Sequence, residues 1–140
     1  MDKGILDTDI LSEISKGVSQ VVSNNAALYI KDQGYLTFTS VSVYEILYGL
    51  RAKPAPGQAQ RFLQLISGHQ EMVPDAEDYR VGAEIRAAMH RAGTEIGKAD
   101  PVIAACAYRR NLVLITANIK HYQFIVDAGF PLTLENWRNP

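Results

Sequence analysis

The stretch GKADPVIAACAYRRNLVLITAN, residues 97–118, decides the fold. Asp100 followed directly by Pro101 marks a helix start, with an Asp side chain at the N-cap and a proline at the first helical position, where its missing N–H costs nothing. Val102 through Tyr108 is apolar on almost every side, which puts the helix inside the protein. Leu112-Val113-Leu114-Ile115-Thr116 is a short continuous apolar run, the pattern of a buried parallel strand. A buried helix that opens on a carboxylate leads straight into a central strand, and the carboxylate needs a purpose.

Working outward, Gly4-Ile5-Leu6 is a second short apolar run, and it ends at Asp7. Thr8 or Asp9 is expected to cap the helix that carries Ile10, Leu11 and Ile14. A second helical region runs from Val18 to Gln33, weakened around Ser23-Asn24-Asn25. Leu36 to Thr39 reads as a strand, and Ser40 or Ser42 caps a helix over Val41–Leu50. In that helix Val43, Ile46, Leu47 and Leu50 form one stripe, and Glu45 lies off it. Lys53-Pro54-Ala55-Pro56-Gly57 is a break, followed by a helix over Gln58–Ile66 and a brief strand at Met72-Val73-Pro74. Asp75 to Ala92 is a long helix with Arg80, Arg86, His90 and Arg91 on its outer face, closed by Gly93. Thr94 to Lys98 loops to Asp100. After Thr116 come a turn and short helix to Tyr122, then a last edge strand at Leu132-Thr133-Leu134. This alternation implies an α/β fold with a parallel sheet covered on both faces. No repeat or long linker divides it, so residues 1–140 form one domain.

Lys and Arg number 14 against 15 Asp and Glu, so any nucleic-acid site must come from local clusters of cations and not from net charge. The single cysteine, Cys106, lies among alanines and has no internal disulfide partner. The first residues carry no secretory h-region and no run reaches membrane-spanning length, so a cytoplasmic protein without membrane attachment is expected.

Three acids stand out by position: Asp7 at a strand end, Glu45 early in a helix after a strand, and Asp100. Each has a plain structural reading: Asp7 as a turn or cap residue, Glu45 as a solvated helix residue and Asp100 as a helix cap. In a parallel sheet all three gather at the carboxyl edge, where such sheets place ligands. Three close carboxylates take up protons unless a cation sits among them, and Mg²⁺ or Mn²⁺ suits an all-oxygen donor set. Such an ion activates water and stabilises charge on a phosphate.

At these residues the sequence resembles the PIN-domain ribonucleases, and within them the toxins of VapBC toxin–antitoxin systems. The matching pieces are ILDTDILSEI around Asp7, SVSVYEILYGL around Glu45, GKADPVIAACAYRRNLVLITANIKHY at 97–122 and LENW at 134–137. The resemblance implies a three-layer α/β/α sandwich with a central parallel sheet of four to five short strands. It implies an Mg²⁺- or Mn²⁺-dependent endoribonuclease, restrained by a VapB-like antitoxin and commonly dimeric. By position, Asp7 and Asp100 are implied as metal ligands, with Glu45 a ligand directly or through water. Asp9 is given at most a supporting role. Many PIN domains carry a fourth acid after the last core strand. Here Asn118 stands in that place, which points to one tightly held ion, and Thr116 is a candidate for hydrogen bonding near the site.

For RNA, Lys98, Arg86, Arg91 and Lys120, with His121 beside them, are candidates to hold phosphates. Arg109 and Arg110 are read as structural, their charge suiting a helix C-terminus, and His69 and His90 as surface residues. Two rivals compete. A degenerate PIN module would bind RNA or a partner without cutting. A haloacid-dehalogenase-type phosphatase would use Asp7-Thr8-Asp9, although the chain lacks that family's paired late acids.

Overall fold

A computed structural model describes residues 1–54, 56–94 and 96–140. Ala55 of the expected break and Glu95 of the expected loop lie outside the described residues. Among the described residues, five strands of three residues each are all paired in parallel: β1 (Gly4–Leu6), β2 (Thr37–Thr39), β3 (Gln70–Met72), β4 (Val113–Ile115) and β5 (Thr133–Glu135). They form two hydrogen-bonded ladders, β1-β4-β5 and β2-β3, and not one continuous sheet. β1 lies alongside β2, so the spatial order is β3, β2, β1, β4, β5.

Strands this short still separate two cores, because successive side chains leave opposite faces. Leu6, Phe38, Val113 and Ile115 face one core. Ile5 and Leu114 face the other. The first core is closed by α1 (Thr8–Lys16), α2 (Gln20–Gln33), α3 (Ser40–Arg51) and α4 (Pro56–Ile66). The second is closed by α5 (Ala76–Arg91), α6 (Asp100–Arg110) and α7 (Ile119–Asp127). The result is the expected three layers. Within α6, Ile103 through Ala107 are fully buried, whereas Tyr108 reaches solvent. Asn111, in the left-handed conformation at φ 54°, ends α6 and turns the chain into β4.

Several local expectations are corrected. Asp7 itself caps α1, accepting from the Thr8 N–H, so neither Thr8 nor Asp9 is the cap. Thr39 caps α3 in place of Ser40 or Ser42. The second helix is unbroken at Ser23-Asn24-Asn25, where Gln20 donates to Asn24 one turn along the helix and, across the fold, Asn25 donates to the carbonyls of Trp137 and Asn139. Those bonds, the Arg138–Glu13 pair and the packing of buried Trp137 against Tyr29 tie the C-terminus to α1 and α2. β3 spans Gln70–Met72 and so begins two residues before the Met72-Val73-Pro74 run expected to carry it. His69 is not a free surface residue, since its Nδ1 accepts the Leu36 N–H at 3.0 Å.

Arg109 and Arg110 are structural for a reason the sequence did not show. Both donate to Asp78, which has no exposed surface, and Arg109 also reaches Asp75. Asp75 and Asp78 form a capping box at the start of α5. The cluster locks α5 to the C-terminus of α6.

Candidate active site

β1 and β4 are neighbours, yet the chain leaves β1 toward β2 on one side and returns to β4 on the other. Such a reversal opens a crevice at the carboxyl ends of the strands. Asp7 follows β1 and Thr116 follows β4, so the two meet in that crevice. Asp7 is 4% exposed. Its Oδ1 accepts from the Thr8 N–H at 2.7 Å and from the Tyr122 hydroxyl at 3.1 Å, and its Oδ2 accepts from the Thr116 hydroxyl at 2.8 Å. The Thr116 hydroxyl in turn accepts the Asn118 N–H at 2.9 Å.

Glu45 projects from the first turns of α3 toward the same edge. Its Oε1 accepts from the Thr8 hydroxyl at 2.8 Å, and that hydroxyl also lies 2.8 Å from the Ser42 hydroxyl. Asp100 is the first residue of α6 and not its cap, which is Ala99 with no side-chain bond. The Asp100 carboxylate is free for another partner, and Oδ2 lies 3.0 Å from Nε2 of His121.

Burial pushes the Asp7 carboxyl up from 3.8 to about 6, and the charge of Asp100 adds to the shift against the opposing bonds from Thr116 and Thr8. Burial also raises Glu45, opposed by its bond from Thr8 and reinforced by the charges of Asp100 and Asp9. The Tyr122 hydroxyl is held well above its ordinary value by burial and by the charges of Asp7 and Asp100, so it stays a donor. Asp100 is thus close enough to act on both Asp7 and Glu45. Among the described residues, however, no three His, Cys, Asp or Glu side chains converge tightly enough to form a ready-made metal cage. Mg²⁺ keeps several waters and needs only one or two carboxylates. A buried carboxylate beside a second acid, with neutral donors and no cation against it, fits that requirement. Replacing Thr116 with Val removes a bond that stabilises ionised Asp7, so the Asp7 midpoint is expected to move above its wild-type position near 6, read by ¹³C-carboxyl NMR of metal-free protein.

The supporting residues separate. Thr116 hydrogen-bonds to Asp7, and Asn118 joins it through its backbone N–H. Asp9 is exposed and acts on Asp7 and Glu45 only through its charge. Of the cations, Lys98 lines a groove of about 620 Å³ beside Glu45, and Lys120 is exposed next to His121. Arg86 and Arg91 line a separate hollow with His90 on the outer face of α5. Sequence reasoning missed Tyr122 and Ser42. Ser42 lies one helical turn before Glu45, and Tyr122 one turn after Asn118, so helical spacing from those two positions was the available signal.

The crevice and fold define a small parallel α/β protein with its acids at the topological switch point. The chain matches the PIN domain family model over residues 5–125 and belongs to that family. It is 30% identical to the tRNA(fMet)-specific endonuclease VapC of Shigella flexneri, over 98% of this chain and 99% of the relative. It is 28% identical to Ribonuclease VapC2 of Rickettsia felis, over 95% of this chain and 96% of the relative. Two solved structures are similar. One is VapBC2 from Rickettsia felis bound to a promoter DNA fragment, with TM-score 0.80, 27% identity, and 95% and 97% of the two chains covered. The other is DNA-bound VapBC from Salmonella typhimurium, with TM-score 0.80, 25% identity, and 98% and 99% covered.

Proposed function

We propose that this protein is a VapC-type toxin, an Mg²⁺- or Mn²⁺-dependent endoribonuclease that hydrolyses RNA phosphodiester bonds and is neutralised by a VapB-like antitoxin. The observation that carries this reading is the buried Asp7 carboxylate, raised toward neutrality beside Asp100 at the switch-point crevice. In this reading Asp7 and Asp100 hold the ion, and Glu45 reaches it directly or through water. A divalent cation bound there supplies positive charge to the phosphate and acidifies water. Three donors fix Asp7, so its remaining lone pairs stay aimed into the crevice. The Thr8 hydroxyl orients Glu45, and the raised basicity of Glu45 suits it to accept a proton from the attacking water. His121 steadies Asp100. Lys98, and more peripherally Lys120, meet the RNA phosphates, and Arg86 and Arg91 extend the basic surface along α5. The likeness to VapBC complexes over nearly the whole chain supports the antitoxin partner, and a homodimer is part of the same proposal. Among the described residues no helix is long and apolar enough to cross a membrane, in keeping with a cytoplasmic toxin.

The test is brief expression in cells, with and without a VapB-like antitoxin, followed by mapping of new RNA 5′ ends. Discrete new ends that vanish on antitoxin co-expression are expected. Unchanged RNA in both arms overturns the proposal. One feature favours a second reading, a PIN module that binds without cutting: Asn118 occupies the turn where an acid is expected. That reading predicts RNA retention on the purified protein with no new ends.

A further inference from the structure

We propose that the groove between α1 and α3 leads the RNA backbone away from the acid site and ends in a phosphate subsite built from Lys16, Lys53 and Arg61. The inference rests on the ribonuclease reading above and names what holds its substrate beyond the cut. α1 follows β1 and α3 follows β2, and the two helices pack on each other. The hollow between them is lined at successive turns by Thr8, Ser12 and Lys16 on one side and by Glu45, Gly49 and Lys53 on the other. Its near end is the Thr8–Glu45 hydrogen bond of the acid site. Its far end lies about 12 Å further along the helix axis, at a rise of about 1.5 Å per residue. There a second hollow of about 310 Å³ shares Lys16 and Lys53 and adds Ser15, Gln58 and Arg61.

Charge chooses the occupant. Lys16, Lys53 and Arg61 are all exposed, and no carboxylate lines the far hollow. Among the described residues none of the three makes an ion pair. Glu13, one turn before Lys16 on α1, is taken by Arg138. Three cations around one hollow repel one another, and a bound anion relieves that repulsion. Compensation of a helix dipole accounts for Lys16 at the end of α1. It does not account for Arg61, midway along α4, whose guanidinium folds back over Gly57, where a Cβ would come within 3.2 Å of Nη1. Ser15 and Gln58 add neutral donors, the mixture that contacts phosphate oxygens. The floor joining the two ends has room for a strand, since a Cβ on Gly49 would meet nothing within 4 Å. A cationic end and a cutting end on one continuous groove fit a polymer that carries phosphates along its length, and not a lone anion.

The experiment uses full-length protein in chelator and a short fluorescein-labelled single-stranded RNA, with binding followed by anisotropy at roughly 50–200 mM salt. The triple variant Lys16→Gln, Lys53→Gln, Arg61→Gln is expected to bind roughly 10- to 100-fold more weakly, with its salt slope lowered by about two and the same loss for RNAs of unrelated sequence. Lys31→Gln, an exposed charge on α2 outside the groove, is the charge control and stays near wild type. Gly49→Leu fills the floor without changing charge and places a better helix former in open space, so it folds and is expected to lower both affinity and slope. A wild-type affinity and slope in the triple variant overturn the subsite, and wild-type binding by Gly49→Leu overturns the path to it. Unchanged RNA binding with lost capture of a VapB-like antitoxin on size exclusion also overturns it and makes the hollow a protein-docking site. The wild type, assayed in parallel with Mg²⁺, separates the two levels. If it neither binds nor cuts RNA, the ribonuclease reading fails, and if it cuts while the triple variant binds and cuts unchanged, only the subsite fails.

Discussion

Asp7→Asn is expected to abolish nearly all RNA cleavage and, in chelator above pH 6, to melt at a higher temperature than the wild type. The first effect follows from losing a charged ligand. Charge stabilisation by a catalytic ion is worth several kcal/mol, so a drop of about 10²- to 10⁴-fold in kcat/KM is expected. The second follows from burial. The folded-state midpoint of Asp7, about 6, lies above its ordinary value of 3.8. Between these values the folded state binds more protons than the unfolded chain, so stability falls as pH rises through that window. Well above pH 6 the buried charge costs the metal-free fold about 3 kcal/mol. Asparagine keeps an acceptor for the Thr8 N–H and carries no charge, so it recovers part of this, about 1–3 kcal/mol and several degrees in Tm. For the wild type the penalty is relieved as pH drops from 7 toward 5, or when Mg²⁺ is added. Thermal melts at pH 5 and pH 8, with and without chelator, check this. A destabilised Asp7→Asn protein in chelator at pH 8 contradicts it.

Asp78→Ala is expected to be the most damaging single change outside the site, without touching the chemistry directly. Asp78 accepts three bonds from Arg109 and Arg110 and also the Asp75 N–H, all at 2.8 Å. Burial alone raises its carboxyl, but the bonds from Arg110, Asp75 and Arg109 outweigh it and hold the group well below the usual carboxylate range. Removing one partner of a buried ion cluster costs about 3–5 kcal/mol. Both arginine side chains are about 30% exposed and regain some hydration, so roughly 3 kcal/mol, near 10 °C in Tm, is the expected loss. Because the folded midpoint is depressed, the contribution is present above pH 3.8 and fades as pH falls below it. Alanine and wild type should therefore converge in stability under strong acid. A wild-type Tm for Asp78→Ala at pH 7 removes the role given to the cluster.

Asp7 and Asp100 were legible because they sit at element ends that hydrophobic patterning marks well, and Glu45 because it lies off the apolar stripe of α3. The runs ending at Leu6 and Ile115 and the buried helix after Asp100 fixed the strands, and parallel topology then gathered the carboxyl edge. Patterning does not record what a side chain bonds to across the fold. Asp7 was read as a strand-end acid, yet it also caps α1, which left Thr8 free to hold Glu45. Asp100 was read as a cap, yet His121 takes its carboxylate. The Asp78 cluster was invisible because its partners are more than thirty positions apart. Arg86 and Arg91 share the outer face of α5, as their spacing implied, but their hollow shares no residue with the groove beside Glu45.

The central claim is that Asp7 and Asp100 together make a metal-dependent cutting site. It is tested most directly by incubating purified wild type, Asp7→Asn and Asp100→Asn with RNA in Mg²⁺ or Mn²⁺ and in chelator. Discrete cleavage by wild type that chelator stops, and that each variant loses by at least about 100-fold while remaining folded, is the predicted result. Cleavage by both variants at the wild-type rate, or cleavage by wild type that chelator leaves untouched, contradicts it.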